Sequence, residues 1–269
     1  MKKIGIYIPC YNVYSVIHKV LYSFTDEVLD NIDQIVVVDN LSTDQTLEVL
    51  KRIQDEDTKL AQQLVIIKNL DNYGLGGSQK IAYQYFIDNN FTHFMIIHGD
   101  NQGNGNQIAS NFLEAFNKNK DVDLITASRF ISDSNTSKYS NKRKLGNYFF
   151  NFITYILSGV KMSDSGAGIL FYKTKFLKNM PFRHLTNSSQ FNPQLNILMH
   201  KNQLKSIEIP LDWENSEEES SISSLNYCIT LLRLLTYYWF ARTILKRNDW
   251  NLFSNESQDL KPSYEIISK

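Results

Sequence analysis

A carboxylate, an amide and an imidazole stand together where one apolar run ends. The segment His93-Phe-Met-Ile-Ile-His-Gly-Asp-Asn-Gln102 is mainly apolar up to Ile97 and polar afterwards. Ligands of open α/β sheets bind beyond the carboxyl ends of the strands, so we expect a site at this point. Asp100 and Gln102 lie two positions apart, and their oxygens suit Mg²⁺ or Mn²⁺ bridging a diphosphate. The alternative is a loop of turn-forming residues that caps the next helix.

The elements that would position this cluster follow from the hydrophobic patterning. Short apolar runs rich in β-branched residues predict strands at Ile4–Ile8, Gln34–Val38, Leu64–Lys68, Phe94–Ile97 and Leu124–Ala127. Periodic segments between them predict helices near 15–29, 44–56, 78–89 and 106–118. Runs that are apolar on both faces are typical of a parallel sheet covered by helices. We therefore expect an α/β fold, with a Rossmann-like half and a mostly parallel central sheet flanked by helices.

The second half of the chain has a different character. Residues 131–144 are polar, and we interpret them as a mobile surface loop or lid. A helix is predicted from about 145 to 158, and a glycine-containing turn at 163–168 leads into a strand at Ile169–Tyr172. A further helix is expected near 191–201 and a further strand at 204–209.

The segment from Leu225 to Leu245 is dense in leucine and aromatic residues but contains Arg233 and Arg242. A membrane-spanning helix needs roughly 20 mostly apolar residues, and two arginines in the window argue against spanning. The spacing instead predicts a C-terminal amphipathic helix with a wide apolar face. Such a helix would lie on a membrane, join copies of the chain in a homo-oligomer, or close the core, and the sequence leaves these three roles open.

The overall composition narrows the class of partners and the compartment. The chain has 269 residues with 28 basic and 28 acidic side chains, so no basic excess points to nucleic acid as a partner. Two cysteines, Cys10 and Cys228, have neither a disulfide framework nor a zinc-binding spacing, which favours a reducing compartment. Only five residues separate Lys3 from Pro9, too few for an apolar signal segment, so we expect a cytoplasmic protein.

Four motifs in order resemble those of family-2 glycosyltransferases, in the branch similar to dolichol-phosphate mannosyltransferases. They are Ile8-Pro-Cys-Tyr-Asn12, Val36-Val-Val-Asp-Asn-Leu-Ser-Thr-Asp-Gln-Thr46, Asn72-Tyr-Gly-Leu-Gly-Gly-Ser78 and His98-Gly-Asp-Asn-Gln102. The resemblance runs from residue 4 to about 214 and implies a GT-A fold with inverting transfer from a nucleotide sugar. It divides residues 1–214 into a nucleotide-sugar half, about 1–130, and an acceptor half, about 131–214, and leaves 215–269 as a C-terminal helix and tail.

The resemblance also implies roles for individual residues. Those assigned to the nucleotide pocket are Pro9, Tyr11, Asn12, Asp39, Gly74, Gly76 and His98. A carboxylate at a strand end can accept from a base or ribose, although Asp39 is equally suited to a turn or a helix cap. The glycines would let the backbone approach the ligand closely. Arg129 would clamp phosphate at two points, the alternative being a surface ion pair.

Two positions depart from the pattern of the family. His98 stands where the first metal-binding aspartate is expected, so Asp100 and Gln102 must carry more of the coordination, or the imidazole contacts the diphosphate directly. Gln194 stands where the family often has glutamate, and an amide cannot act as a general base. Asp164 and Asp100 are then the remaining carboxylates for a catalytic role. An acceptor that is already an anion, such as a lipid phosphate, needs no base.

The resemblance therefore predicts an inverting glycosyltransferase that uses a UDP- or GDP-sugar and a Mg²⁺ or Mn²⁺ cation. The acceptor is expected to be a polyprenyl phosphate or a growing cell-surface glycan, with peripheral contact at the inner face of the cell membrane. The basic residues of the lid would receive a lipid phosphate; they are Lys138, Lys142, Arg143 and Lys144. The alternative is a catalytically weak sugar-nucleotide-binding or scaffold protein derived from such an enzyme.

Overall fold

A single twisted sheet crosses the part of the chain that the computed structural model describes, which is residues 2–56, 58–214, 224–247 and 263–268. Its strands are Ile4–Cys10 (β1), Gln34–Asp39 (β2), Leu64–Asn69 (β3), His93–Ile96 (β4), Leu124–Ser128 (β5), Leu170–Lys173 (β6), Ser206–Pro210 (β7) and Tyr264–Ser268 (β8). The spatial order is β7-β5-β6-β4-β1-β2-β3-β8. β6 is antiparallel to β4 and β5, and β8 is antiparallel to β3, whereas all other neighbours are parallel. The predicted mostly parallel sheet is confirmed.

The register brings several strand ends to one edge of the sheet. Cys10 of β1 pairs with Asp39 of β2, and Asp39 is in turn level with Lys68 of β3. β4 is parallel to β1, and β5 runs in the direction of β4 because β6 is antiparallel to both. The segments that follow β1, β2, β3, β4 and β5 therefore share the carboxyl edge, where α/β proteins bind ligands.

Helices cover both faces of this sheet. They are Ile17–Tyr22 (α1), Asp26–Leu29 (α2), Thr46–Gln54 (α3), Lys59–Gln63 (α4), Gly74–Asp88 (α5), Gly105–Lys118 (α6), Asn141–Ser158 (α7), Thr174–Lys178 (α8), Phe191–Lys201 (α9) and Ser224–Thr243 (α10), with a 3₁₀ turn at Phe182–His184. Strand residues alternate between two core clusters, since Ile6 and Ile8 join one and Tyr7 the other. The first cluster packs against α1, α3 and α6, and the second against α5, α9 and α10.

Three helices differ from their predicted bounds. The segment 15–29 forms two short helices, because Thr25 donates its backbone N and its Oγ1 to Asn106 Oδ1 at 2.9 and 3.0 Å and so ties the connection to α6. α5 begins at Gly74 instead of residue 78. α7 begins at Asn141, so the predicted lid is shorter and Lys142, Arg143 and Lys144 lie on a helix, not on a loop.

The C-terminal segment contains one expected and one unexpected element. α10 buries Leu231, Leu235 and Tyr238 in the second cluster and exposes Arg233 and Tyr237 on the opposite face. Among the helices of the described ranges, none combines the length and the hydropathy that a membrane-spanning segment needs. β8 adds an edge strand beside β3 that the patterning did not predict. The division at about residue 214 stays a prediction, and residues 215–223 and 248–262 of the predicted helix and tail lie outside the described ones.

Candidate active site

The segments after β1 and β4 contact each other through a glycine. A Cβ atom added at Gly99 would lie 2.7 Å from the carbonyl O of Pro9 and 3.0 Å from Cys10 Sγ. Any larger side chain would therefore push the His98–Asp100 turn away from β1. Cys10 lies at the same contact between the two segments. Burial, and then the nearby carboxylates of Asp39 and Asp100, raise the pKa of its thiol. Asp39 and Asp100, both selected as site candidates from the sequence, therefore lie near the same buried residue, Cys10.

Asn12 joins the first two loops of the carboxyl edge. Its backbone N donates to Ser42 Oγ at 3.0 Å, and its Oδ1 accepts from the backbone N of Thr43 at 2.8 Å. Asp39 is only 1% exposed, and the backbone N of Ser42 lies 3.3 and 3.4 Å from its two carboxylate oxygens. The turn role that the sequence left open for Asp39 is therefore present in the structure. Burial raises the pKa of Asp39, and the bonds from Ser42 oppose that rise.

Asp100 and Gln102 form the oxygen-rich end of the β4 turn, and both are half-buried. Gln102 makes two hydrogen bonds with the backbone of Glu214. Its side-chain Nε2 donates to the Glu214 carbonyl at 3.1 Å, and its backbone carbonyl accepts from the Glu214 backbone N at 2.9 Å. This leaves the Gln102 Oε1 as the acceptor end of the amide. Within the described ranges, no group of three His, Cys, Asp or Glu side chains could hold a metal ion. One carboxylate and one amide oxygen fit a cation that takes its other ligands from water and substrate phosphates.

His98 lies between this turn and the α9 side of the site. The space beside Gly168 is filled by His98 and Asn192, since a Cβ there would lie 2.9 Å from His98 Nε2 and 2.7 Å from Asn192 Nδ2. Its ring meets Trp213 edge-on with the centroids 5.7 Å apart. Burial and the charge of Arg129 lower the pKa of His98, and Asp100 opposes them. The imidazole is therefore neutral near pH 7 and can ligate or hydrogen-bond.

Arg129 and Asp164 form a buried two-point ion pair at the end of β5. The distances are 2.7 Å from Arg129 Nε to Asp164 Oδ2 and 2.8 Å from Nη2 to Oδ1. The Asp164 side chain is 1% exposed and that of Arg129 13%. Burial works against the guanidinium charge, but Asp164 raises the pKa of Arg129 above its ordinary value. Both Asp164 oxygens are thus occupied, and the surface ion pair considered from the sequence is instead a buried one.

The loop that was expected to be a mobile lid is tied to the site by hydrogen bonds. Asn135 donates its backbone N to Asp212 Oδ1 at 2.9 Å, and its carbonyl accepts from the backbone N of Trp213, also at 2.9 Å. Tyr139 is buried, and its hydroxyl accepts from Asn147 Nδ2 at 3.2 Å. Lys138 makes an exposed ion pair with Glu214 at 2.7 Å. These contacts hold residues 131–140 against the 212–214 segment, and the role of this loop as a mobile lid stays a prediction.

The glycines after β3 approach this chain's own backbone. A Cβ at Gly74, which has φ +69°, would lie 2.6 Å from the Asn187 carbonyl O, and one at Gly76 would lie 2.4 Å from that of Thr186. The Gly77 N–H donates to the Asn187 carbonyl at 3.1 Å. These glycines allow the start of α5 to pack closely against the 186–188 segment. The sequence interpretation expected a ligand to approach the backbone here, but at these atoms the neighbour is the protein itself.

Gln194 is a buried structural residue of α9. It is 1% exposed, and its Oε1 accepts from the backbone N of Thr186 at 2.9 Å. The amide thus holds the same segment that packs on the glycines of α5. This position supplies no base, as the sequence indicated.

A polar cavity opens beside the Asp100 turn. Its volume is about 290 Å³, and its lining includes Asn101, Gln102, Asn104, Lys138 and Trp213. Amide side chains with paired donors and acceptors are suited to sugar hydroxyls. Trp213 links the two halves of the site, because the Arg129 guanidinium carbon lies 6.0 Å from its ring centroid.

Several residues of the site escaped the sequence interpretation. They are Gly99, Tyr139, Asn192, Trp213 and Tyr227. A Cβ placed at Gly166 would lie 3.9 Å from the hydroxyl of Tyr227, which is on α10, and 3.9 Å from Arg129 Nη2. Burial raises the pKa of Tyr227 to about 12. Among these five residues, only Gly99 could have been identified from the local sequence, since it lies inside the motif His98–Gln102. The other four come from distant segments that only the fold brings together.

Comparisons with known proteins agree with this architecture. The sequence model described as glycosyl transferase family 2 matches residues 5–180. The UDP-N-acetylglucosamine–dolichyl-phosphate N-acetylglucosaminyltransferase of Methanococcus voltae is 25% identical over 222 residues, which cover 78% of this chain and 85% of that protein. An uncharacterized protein of Methanocaldococcus jannaschii is 22% identical over 209 residues, 78% of this chain and 80% of its own length.

Solved structures with the same fold include two glycosyltransferases. Glucosyl-3-phosphoglycerate synthase of Mycobacterium tuberculosis, in complex with Mn²⁺, UDP and glucosyl-3-phosphoglycerate, has a TM-score of 0.61 at 13% identity, with 98% of this chain and 87% of that chain covered. A mannosyltransferase of Pyrobaculum calidifontis in complex with GDP-Man and Mn²⁺ has a TM-score of 0.57 at 16% identity, with coverages of 92% and 65%. The predicted GT-A fold is confirmed.

Proposed function

The chain belongs to glycosyl transferase family 2, and we propose that it transfers a sugar from a UDP-sugar to a polyprenyl phosphate with inversion at the anomeric carbon. N-acetylglucosamine is the first candidate sugar, because the Methanococcus voltae relative is named for UDP-N-acetylglucosamine and dolichyl phosphate. The arrangement of the carboxyl edge supports the donor side of this proposal, and the Arg129–Asp164 pair supports the acceptor side.

The donor nucleotide is proposed to bind the loops after β1 and β2. Pro9 and Asn12 shape the wall, Tyr11 offers a partly exposed ring for stacking, and Asp39 accepts from the base or ribose. The Asn12 bonds to the 42–43 backbone hold these two loops together before any ligand arrives. Gly74 and Gly76 contribute indirectly, by placing the start of α5 next to this pocket.

The donor diphosphate is proposed to meet a divalent cation at Asp100 and Gln102. When bound there, Mn²⁺ or Mg²⁺ would neutralise the charge that develops on the departing diphosphate. Asp100 provides the one carboxylate of the turn, and the bonds between Gln102 and Glu214 orient the amide oxygen. His98, held neutral by its surroundings, lies where it can ligate weakly or donate to a phosphate oxygen.

The observation that carries the acceptor proposal is the occupied carboxylate of Asp164. Both of its oxygens accept from Arg129, so a base role would require breaking a buried ion pair. An alcohol acceptor must lose a proton as it attacks, whereas a phosphate monoester attacks as an anion and needs no base. A phosphorylated lipid thus suits this site better than a glycan hydroxyl. Asp164 is then a positioning residue, which aims Arg129 at phosphate oxygens.

The proposed reaction is a single displacement. An oxygen of the acceptor phosphate forms a bond to the anomeric carbon while the bond from that carbon to the diphosphate oxygen breaks on the opposite face. UDP leaves with the electron pair, and the product is a polyprenyl phosphosugar. The sugar would sit in the polar cavity beside Gln102, where Asn101, Asn104 and Lys138 face its hydroxyls.

A transfer assay with matched acceptors tests the proposal. The purified chain is incubated with Mn²⁺, a panel of UDP- and GDP-sugars, and either a short-chain polyprenyl phosphate or the corresponding polyprenol. We expect product with a UDP-sugar and the phosphate only. Transfer to the alcohol at a comparable rate would contradict the argument from Asp164. Tight nucleotide-sugar binding without turnover on any acceptor would instead favour the sugar-nucleotide-binding protein considered from the sequence.

A further inference from the structure

The side of α7 that faces away from the core is apolar from Leu145 onward. Six large hydrophobic side chains on this helix are between 50 and 72% exposed: Leu145, Tyr148, Phe149, Phe152, Tyr155 and Ile156. Their spacings of three and four residues place them on one stripe of the helix. Surface helices of globular proteins normally turn such a stripe inward, so an outward one marks a surface that has a partner.

α10 extends this apolar surface. Its exposed hydrophobic residues, with two that follow the helix, are Ile229, Leu232, Tyr237, Phe240, Ile244 and Leu245. The two helices pack against each other, and Arg242 of α10 donates Nη1 to the Ser158 carbonyl at the end of α7 at 2.8 Å. Phe150 and Ile153 of α7 and Leu231 of α10 all pack in the second core cluster. Because both inner faces rest on one cluster, the two outer faces are neighbours, and together we call them the α7–α10 face.

The two chain intervals that contain this face have basic residues and no acidic ones, although Lys138 is paired with Glu214 from another segment. The sequence contains no acidic residue between Asp133 and Asp164 and none between Glu219 and Asp249. The basic residues in these two intervals are Lys138, Lys142, Arg143, Lys144, Lys161, Arg233, Arg242, Lys246 and Arg247. The whole chain has no net charge, so these two intervals carry a local positive excess that the rest of the chain balances. Lys142 and Arg143 are exposed on the first turn of α7, and Arg233 is exposed among the apolar residues of α10.

We propose that the α7–α10 face docks on an anionic lipid bilayer. An apolar stripe bordered by lysine and arginine is the pattern by which helices lie in a membrane interface, with rings in the acyl boundary and cations at the headgroups. A second copy of the chain fits less well, because a symmetric contact would bring the same basic residues together. The bilayer supplies both the apolar environment and the opposite charge.

The docking surface is connected to the site through its two helices. Asn147 of α7 lies 3.4 Å from Arg129 Nη2, and Asn151 of α7 accepts from the Ser165 backbone N at 2.8 Å. Tyr227 of α10 brings its hydroxyl to the same region beside Gly166. A membrane in contact with the α7–α10 face would thus lie one helix away from Arg129. The consequence that a lipid phosphate reaches Arg129 from this membrane rests on the proposed function, whereas the docking itself does not.

Vesicle flotation of the full chain, without donor or acceptor, tests the docking. The vesicles are pure phosphatidylcholine or an equal mixture of phosphatidylcholine and phosphatidylglycerol. We expect binding to the mixed vesicles and a loss on the order of 10- to 100-fold in the double variant Phe149→Ser/Phe152→Ser, since two large apolar side chains leave the interface. The matched control is Tyr22→Ser/Ile266→Ser, which removes two exposed hydrophobic residues outside the face and is expected to bind as the unaltered chain does.

Three outcomes would overturn the docking proposal. They are no flotation with either vesicle, equal binding to both lipid compositions, and a dimer in sedimentation that is lost in Phe149→Ser/Phe152→Ser while vesicles do not bind. Thermal unfolding of both double variants separates a lost surface from a lost fold, because all four side chains are exposed. A failure of the proposed function would give a different result, in which the chain floats with anionic vesicles but forms no product in the transfer assay.

Discussion

Arg129 holds both carboxylate oxygens of Asp164, at 2.7 Å from Nε and 2.8 Å from Nη2, in a pair that is almost wholly buried. The pair lies where β5 ends and just before β6 begins, at the carboxyl edge of the sheet. It fixes the plane of the guanidinium, and Asp164 would have to break this buried pair to take a proton. The proposal of a phosphate acceptor rests on this one contact.

Removing the carboxylate should therefore destabilise the fold as well as the site. We expect Asp164→Ala to lower the free energy of unfolding by about 3 to 5 kcal/mol, because it leaves a buried guanidinium without its partner. Urea unfolding measures this. The matched control is Asp121→Ala, which breaks a 4.0 Å pair with Lys205 at the surface and should cost less than about 1 kcal/mol. Equal costs for the two substitutions would mean that the Arg129 pair is not buried in solution.

Asp39 provides a test of the nucleotide pocket. We expect Asp39→Ala to weaken UDP-sugar binding by about 1 to 3 kcal/mol, the usual cost of leaving a buried partner unpaired. Calorimetry on the purified chain measures the dissociation constant directly. Asp55→Ala, an exposed carboxylate just after α3, serves as the control. An unchanged constant for Asp39→Ala would limit Asp39 to its turn with Ser42.

His98 offers a test of how the strand-end turn meets the diphosphate. We expect His98→Asp to support Mg²⁺-dependent transfer at a rate at least equal to that of the unaltered chain, because a hard oxygen ligand replaces the imidazole. His98→Asn is the control, because asparagine is similar in size to aspartate but uncharged, and this variant should not gain activity with Mg²⁺. Complete loss in both variants, with thermal unfolding unchanged, would show that the imidazole itself contacts the substrate.

His93 should make the fold sensitive to acid. Burial, and then the charges of Lys2 and Lys173, lower the pKa of His93 from 6.5 to about 4. The unfolded chain then binds a proton more readily than the folded one, so the stability from this group is present above pH 6.5 and is lost as the pH falls toward 4. We expect His93→Gln to lose less stability than the unaltered chain between pH 7 and pH 5. His184→Gln, at an exposed histidine, is the control, and a parallel loss in all three proteins would contradict the assignment.

Local patterning was sufficient for the strands of the first half of the fold. The strands β1, β2 and β3 begin at the predicted residues and extend one or two residues further, because their residues are apolar on both faces and no helix competes for such short runs. β8 was missed, since Tyr264-Glu-Ile-Ile-Ser268 forms a strand only by pairing with β3. The start of α5 at Gly74 was missed for a similar reason, as the helix gains its first turn by packing on the 186–188 backbone.

The candidate site divides in the same way. Asp39, Asp100 and Gln102 could be proposed from the sequence because each lies at or shortly after the end of an apolar strand. Arg129 and Asp164 were each identified, but their pairing joins residues 35 positions apart and had no local indication. Trp213 and Tyr227 carry no local motif, and only tertiary structure places them beside His98 and Arg129.

The measurement that tests the account most directly is Mn²⁺-dependent sugar transfer by Asp100→Ala. Asp100 is the carboxylate of the strand-end turn, so its loss should lower turnover by on the order of 100- to 1000-fold while thermal unfolding stays unchanged. Asp26→Ala, at an exposed carboxylate of α2, should transfer sugar as the unaltered chain does. Turnover of Asp100→Ala within about threefold of the unaltered chain, or full activity in the presence of a chelator, would contradict a transferase that works through a cation at this turn.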